Sequence, residues 1–376
     1  MKILIKGYYG YGNLGDDILM MVSYRLIKKI YPSASVTIFS NNSENNNLFA
    51  NEHEYNQYIK GILKEDIEII DWSHKGTFDL VFHGGGGIYF DSNNDPSVWY
   101  YCLNYVINKL PTPVVIKFDS MMRRITNRSK NITALKRVGV GIGIGSYTKN
   151  SRRLFHELVE MGSYSRLVVR DQSSINFLEN HGMPDSQILK NTDLAFINTW
   201  NQYNWSSHSK VDRVGIIVKD NLDTDLTKVL QELGSVLGKR GISCTYYSFD
   251  GNYDKESIDN YGSFNFVQYT PDHLEEFFEL LRSEQLLFTT RAHGAILGGC
   301  LGIPSVILGI DVKLNEVAKM FKNSSICINK WDINLLIEAF DQISTNYLTV
   351  IDGLEKDISI NRGLARKLEE VITNIL

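Results

Sequence analysis

The side chains best suited to chemistry in this sequence are Arg291 and His293, in a turn between an apolar run and a segment of small residues. The run, Leu286 to Phe288, has the continuous apolar character of a buried strand in a parallel sheet. Val306 to Leu308 is another such run, and between them Gly294, Ala295, Gly298, Gly299 and Gly302 give a helix almost bare on one face. An interior glycine costs about 1 kcal/mol relative to alanine, so several in one helix imply close approach of a backbone or a ligand. Ligands of open parallel sheets bind at the carboxyl ends of the strands. A guanidinium, an imidazole and a helix N-terminus at one such end form an anion site. A surface arginine and a capping histidine on an ordinary crossover would leave the same local pattern. Leu167-Val168-Val169-Arg170-Asp171 repeats the strand-then-arginine arrangement, with Asp171 placed to cap the next helix.

A second constellation follows the first strand, Ile3 to Ile5. The turn Gly7-Tyr8-Tyr9-Gly10-Tyr11-Gly12-Asn13-Leu14-Gly15-Asp16-Asp17 holds a G-x-G-x-x-G at Gly10, Gly12 and Gly15. Two features count against a dinucleotide. The next strand, Val36 to Phe39, ends in Ser40-Asn41-Asn42, without the acid that would hold a ribose. Asp16 and Asp17 fall in the first helical turn, where the helix dipole stabilises carboxylates and where they would repel a pyrophosphate. The turn therefore suits a neutral polyol. After the strand Phe78 to Phe82, His83-Gly84-Gly85-Gly86-Gly87 marks a backbone approached closely by a ligand or by another loop. Lys117 to Arg137 carries Arg123, Arg124, Arg128, Lys130 and Lys136 against one acid, Asp119. It reads either as a solvated basic loop and helix or as a contact with an anionic membrane surface or lipid pyrophosphate.

These groups need a frame. The chain has 376 residues, enough for two α/β domains. A formal net charge of −4 gives no basic excess for nucleic acid. Cys102, Cys244, Cys300 and Cys327 are widely spaced, which suits a reducing cytosol and argues against a disulfide framework or zinc site. No His/Cys/carboxylate spacing indicates a metal, and none is expected. The N-terminal apolar run is too short for a signal peptide, and no run reaches the roughly 18 residues that span a membrane. Residues 1–204 read as one Rossmann-like domain, with further strands at Val114 to Phe118, Val138 to Gly145, Leu167 to Val169 and Leu189 to Asp193. Residues 198–212 read as a linker. A second strand-helix series occupies residues 205–350, and an amphipathic helix, 351–376, is expected to cross back to the first domain. The expected fold is α/β, with two facing Rossmann-like, doubly wound domains and a cleft between them.

Gly12-Asn13-Leu14-Gly15-Asp16-Asp17, Gly84 to Gly87, Arg170-Asp171, Thr192-Asp193-Leu194-Ala195 and Arg291-Ala292-His293-Gly294 occur in the order found in polysaccharide pyruvyl transferases. The chain resembles that family from about residue 3 to 320. The resemblance implies a fold similar to GT-B glycosyltransferases. It also implies transfer of a pyruvyl ketal from phosphoenolpyruvate, a substrate rather than a cofactor, onto a sugar of a bacterial surface polysaccharide. The acceptor would be a lipid-pyrophosphate-linked saccharide at the cytoplasmic face of the membrane, with peripheral contact through Arg123, Arg124 and Arg128. Carried over by position, Arg170, Arg291, His293 and Gly294 fall on the donor side, and Lys313 resembles a family lysine. Asn13, Asp16, Asp17, Gly85, Gly86 and Asp91 fall on the acceptor side. Ile88-Tyr89-Phe90-Asp91 departs from the family in carrying bulky aromatics where smaller or amide residues are expected.

The chemistry so implied needs an acid for the enol-ether CH2 of the donor and a base for the acceptor hydroxyls. His293 is the candidate acid, because imidazole titrates near neutral pH. Asp16 is the candidate base. Two arginines from different strands could each grip one anionic group of the donor bidentately. A nucleotide-sugar glycosyltransferase of the same architecture is the alternative, since fold alone does not fix function. A non-catalytic saccharide-binding subunit would leave His293 and the arginines without a task.

Overall fold

The computed structural model describes residues 1–40, 52–71, 74–89, 104–105, 107, 109–125, 132–145, 147–148, 151, 153–197, 210–220, 222–251 and 254–375. Seven strands form the first sheet: β1 (Lys2–Lys6), β2 (Ser35–Phe39), β3 (Glu68–Ile70), β4 (Gly76–Tyr89), β5 (Ile132–Ile144), β6 (Arg166–Val169) and β7 (Ile188–Lys190), in the order β3-β2-β1-β4-β5-β6-β7. Six form the second: β8 (Arg213–Val218), β9 (Ser243–Ser248), β10 (Asn265–Gln268), β11 (Leu286–Thr289), β12 (Ser305–Leu308) and β13 (Ile326–Ile328), in the order β10-β9-β8-β11-β12-β13. Every pairing in both sheets is parallel. The chain thus has the expected two Rossmann-like domains. The strand order reverses between β1 and β4 in one sheet and between β8 and β11 in the other, and such switch points open a crevice at the strands' carboxyl ends.

The central strands form because their residues are apolar on both faces: Ile3, Leu4 and Ile5, and likewise Leu286, Leu287 and Phe288, are fully buried. One apolar cluster runs continuously from the helix Leu14–Ile30 of the first domain to Phe249, Tyr269, Phe277 and the helix Ala292–Cys300 of the second. A backbone seam joins the domains beside it. Leu14 N–H donates to Phe249 O at 2.8 Å, Gly251 N–H donates to Gly12 O at 3.2 Å, and Asn13 bridges Asp250 in antiparallel fashion.

Several sequence expectations need correction. Val114 to Phe118 is not a strand; it lies in the helix Thr112–Ile125. Its buried residues Thr112, Val115 and Asp119 recur at helical spacing, and Pro113 at the start is a helix-entry signal that the short apolar run obscured. The strand begun at Phe78 does not stop before the glycines, because β4 continues to Tyr89. β5 starts at Ile132, so Lys136 and Arg137 belong to a strand rather than to the expected basic loop and helix. Lys136 Nζ donates to the carbonyl of Ile375, and Arg137 Nη2 to that of Ile132 at 3.0 Å. The last helix begins earlier than residue 351 and spans Tyr347–Ile375; it reaches the first domain through an ion pair of Lys29 with Glu369 (2.6 Å) and a hydrogen bond from Thr192 Oγ1 to Asn361 Oδ1 (2.9 Å). Asn41 and Asn42, Asp91, Arg128, Lys130 and most of the 198–212 linker lie outside the described residues. Among the described residues no helix is long and apolar enough to cross a membrane.

Candidate active site

The two switch points face each other across a cleft of ≈ 330 Å³. From the first domain, the chain leaves β1 and turns through Gly10 and Gly12, both at positive φ (86° and 75°), a region open to glycine. Asn13 then caps the helix Leu14–Ile30: its Oδ1 accepts from the N–H groups of Gly15 (3.0 Å) and Asp16 (3.4 Å). Asn13 Nδ2 donates to Asp250 Oδ2 at 3.2 Å, which ties the cap to the other domain. Asp16 is thereby presented to the cleft.

From the second domain, β11 ends at Thr289, and the turn that follows is locked by hydrogen bonds. Thr290 N–H donates to Ile217 O at 3.1 Å, and Arg291 N–H donates to Thr289 Oγ1 at 3.1 Å. Arg291 Nη2 lies 2.6 and 2.7 Å from the two oxygens of Asp254. Asp254 is 1% exposed and accepts two further bonds, from Ser248 Oγ (2.8 Å) and Asp220 N–H (3.0 Å). His293 projects across the domain boundary onto Gly15. A β-carbon at Gly15 would lie 2.0 Å from His293 Nδ1, so only glycine admits the imidazole. His293 Nε2 is buried with no hydrogen-bond partner and stands 3.8 Å from Asp193 Oδ2, too far for a hydrogen bond.

Arg170 leaves β6 and lies over Gly143, whose absent β-carbon would meet its Nε at 2.6 Å. Its Nη1 donates to Asp193 Oδ2 at 2.7 Å, and its Nε is 3.5 Å from Asp171. Burial would raise the Asp193 carboxyl, but His293, Arg170 and the Ala195 N–H hold it well below the usual carboxylate range. The opposite holds for Asp16: burial pushes it up to about 6, with Asp250 adding to the rise and His293, Lys313 and Arg291 opposing it. Lys313 follows Asp311, the cap of the helix Val312–Met320, and is pushed down to about 8 by burial and by Arg170, against Asp311 and Asp16.

Of the residues singled out in the sequence, Asn13, Asp16, Arg170, Arg291, His293 and Lys313 line the one cleft. Asp17, Gly85, Gly86 and Gly294 do not. Asp17 is buried behind Asp16, where it accepts from Tyr58 and, at 3.0 Å, from Tyr269. Burial pushes it up to about 8 despite these two donors. A β-carbon at Gly85 would meet Leu19 and Leu194 at 3.0 and 3.1 Å, and one at Gly294 would meet Thr289 Oγ1 at 2.3 Å, so these glycines serve packing. Gly298 and Gly299 are approached in the same way by Leu287 and Phe321. Sequence reasoning gave no task to Tyr8, Lys219, Phe249 or Asp311, which also line the cleft, nor to Asp193 and Asp254, which hold the arginines from behind. Lys219 directly follows buried strand β8, so the strand-then-cation pattern that marked both arginines also marks it. Nothing local marked Asp254.

The fold and cleft define a class before they define a family. A UDP-GlcNAc 2-epimerase from Neisseria meningitidis bound to UDP-GlcNAc superposes with a TM-score of 0.55 at 11% identity, over 100% of this chain and 99% of that one. A glycosyltransferase from Rickettsia africae gives 0.51 at 12%, over 100% and 98%. A UDP-GlcNAc 2-epimerase from Methanocaldococcus jannaschii, in complex with UDP-GlcNAc and UDP, gives 0.56 at 13%, over 92% and 93%. At these identities the likeness establishes the GT-B-type fold alone. No curated protein sequence gives a significant match. The family is set by a match of residues 13–312 to polysaccharide pyruvyl transferase, and the chain belongs to that family.

Proposed function

We propose that this chain transfers a pyruvyl group from phosphoenolpyruvate onto two hydroxyls of a hexose in a lipid-linked saccharide during bacterial surface polysaccharide synthesis. The observation that carries the reading is the convergence of Arg170, Arg291, His293 and Lys313 with Asn13 and Asp16 in one cleft of a chain of this family. Phosphoenolpyruvate brings a carboxylate and a phosphate to match the cations. His293 gives a proton to C3, forming the methyl group and leaving oxocarbenium character at C2. A sugar hydroxyl oxygen bonds to C2 and loses its proton to Asp16. The bond from C2 to the phosphate oxygen breaks, with its electron pair on phosphate, and a second hydroxyl closes the ketal. Asp16 passes the first hydroxyl proton to the departing phosphate, and the proton of the second hydroxyl restores His293. A carboxyl near 6 is ionised at neutral pH and still basic enough for this task. Tyr8, held by stacking on Tyr11 (ring centroids 4.0 Å apart), is 43% exposed at the cleft and offers a flat apolar face to a pyranose.

A lipid-linked acceptor calls for docking at a membrane. The helix Thr112–Ile125 supports it: Val114, Phe118 and Met121 are exposed at one helical spacing, Lys117 is exposed among them, and Arg123 and Arg124 follow in the last turn. Binding to anionic vesicles should weaken with salt, as the Debye length falls to about 3 Å at 1 M. It should also drop in a Phe118→Ser/Met121→Ser double variant. Equal vesicle binding by that variant would remove the helix from the account.

The deciding experiment is incubation of the protein with phosphoenolpyruvate and membrane-extracted glycolipids. Release of inorganic phosphate together with a glycolipid mass gain of one pyruvyl ketal is the expected result. Release of UDP from UDP-sugars, with no turnover of phosphoenolpyruvate, would establish the glycosyltransferase reading instead.

A further inference from the structure

We propose that Lys219 is a binding residue for the phosphoryl group of the donor and for the phosphate that leaves it. The inference rests on the donor reading above and goes beyond it in asking which cation has charge to spare. The arginines have little. Arg170 faces buried Asp193 and Asp171, and Arg291 Nη2 meets both oxygens of buried Asp254. Each guanidinium keeps free N–H groups and can orient an anion, but its charge is already matched. Lys219 is different. It lines the same cleft, and among the described residues it makes no hydrogen bond and no ion pair.

Its position is fixed from both sides. Val218 before it is fully buried at the end of β8, which pairs with β11, the strand that leads into Arg291. Asp220 after it is held by a bond from its N–H to Asp254 Oδ1 (3.0 Å), while its carboxylate accepts from the N–H groups of Glu256 (2.8 Å) and Ser257 (2.7 Å). The carboxylate that anchors Arg291 therefore also anchors the residue next to Lys219, and the two cations stand in a set relation at the switch point of the second sheet. An ammonium is a compact charge with three donors, suited to phosphate oxygens, whereas the planar fork of an arginine suits a carboxylate edge-on. Burial lowers Lys219, with Arg291 adding to it and Asp311 and Asp254 opposing. A bound dianion would relieve that cost. In the transfer step the electron pair of the breaking bond from C2 to oxygen comes to rest on the phosphate, beside this ammonium.

The test uses inorganic phosphate and oxalate as separate probes of the phosphoryl and carboxylate halves, titrated calorimetrically into wild type, Lys219→Gln and Lys219→Arg. Thermal melting checks that the variants are folded. A lost charged hydrogen bond of this kind is worth about a factor of ten or more in affinity. Lys219→Gln should weaken phosphate by at least that factor, change oxalate by less than about twofold, and raise KM for phosphoenolpyruvate. Lys219→Arg should recover much of the phosphate affinity. Unchanged phosphate binding in Lys219→Gln, with wild type binding phosphoenolpyruvate normally, would overturn the proposal and leave the donor reading standing. Equal loss of phosphate and oxalate would overturn it too, since Lys219 would then act on the site as a whole. Failure of wild type to bind either phosphate or phosphoenolpyruvate would overturn the donor reading and this proposal together.

Discussion

Two glycine-rich segments lie on neighbouring strands of the first sheet or just beyond them, and only one of them reaches the cleft. Gly12 to Gly15 follows β1, and Gly84 to Gly86 lies within β4, its direct neighbour. Both are bare because something comes close. At Gly15 the visitor is His293 from the other domain; at Gly84 it is Ser23 and Tyr9, and at Gly85 it is Leu19 and Leu194, all from the same domain. A run of glycines records close approach, and the identity of the neighbour decides whether that approach is chemistry or packing.

Substituting each glycine should separate the two cases. Gly15→Ala places a methyl group where the imidazole lies and should expel His293. We expect kcat to fall by about 10²–10⁴, the usual cost of a lost general acid, with phosphoenolpyruvate still bound and with a lower melting temperature, because the methyl group would also meet His293 Cβ at 2.8 Å. His293→Gln should give the same profile in single-turnover and binding measurements. Gly85→Ala should spare the rate. Crowding of Leu19 and Leu194, at a position with φ of 25°, should cost about 1–3 kcal/mol of stability, while the folded enzyme turns over within about twofold of wild type. A Gly85→Ala protein that melts normally and has lost activity would put the second segment in the acceptor site and end the comparison.

The helix that starts at Leu14 sharpens the contrast, because Asp16 faces the cleft and Asp17 faces the core. Activity should rise with pH through about 6 as Asp16 becomes able to accept a proton. It should fall above about 8 as Lys313 loses the charge it presents to the cleft. In rate profiles, Lys313→Arg should carry the alkaline limb to higher pH, and Asp16→Asn should remove the acid limb from whatever rate remains. Asp17 acts on stability instead. Its carboxyl is raised from 3.8 to about 8 in the fold, so between those values the folded state holds a proton that the unfolded chain releases. Stability falls as pH rises through that window. Asp17→Asn lacks this term, so its melting temperature should gain on wild type from pH 5 to 8 with kcat unchanged. Parallel melting curves across that range would show that Asp17 ionises freely in the fold.

Much of this architecture was legible because strands buried on both faces are continuous apolar runs, as at Ile3 to Ile5 and Leu286 to Phe288. Val114 to Phe118 failed for the same reason, since a short apolar run fits a half-buried helix equally well. Arg170, Arg291 and His293 were legible because each stands within a few residues of a strand end. The partners that govern them were not. Asp193 meets Arg170 from 23 residues away, and Asp254 meets Arg291 from 37; only the fold sets those distances. Asp17, next to Asp16 in sequence, points the other way by helical geometry alone.

The last helix gives the site a schedule. Thr192, next to the aspartate that holds Arg170, is bonded to Asn361, 169 residues later. Asn361 also donates to Met320 O, and Asp357, one turn before it, accepts from Asn323 and Ser324 of the second domain. At about 5–20 residues per second, ribosomal synthesis needs roughly 10–30 s to pass from one end of that bond to the other. The first sheet can pair its strands during this interval, but Thr192 then has no Asn361 to bond and Gly15 no histidine above it. A chain still being made therefore holds half a cleft. Competence arrives late in translation, when a single helix closes over both halves.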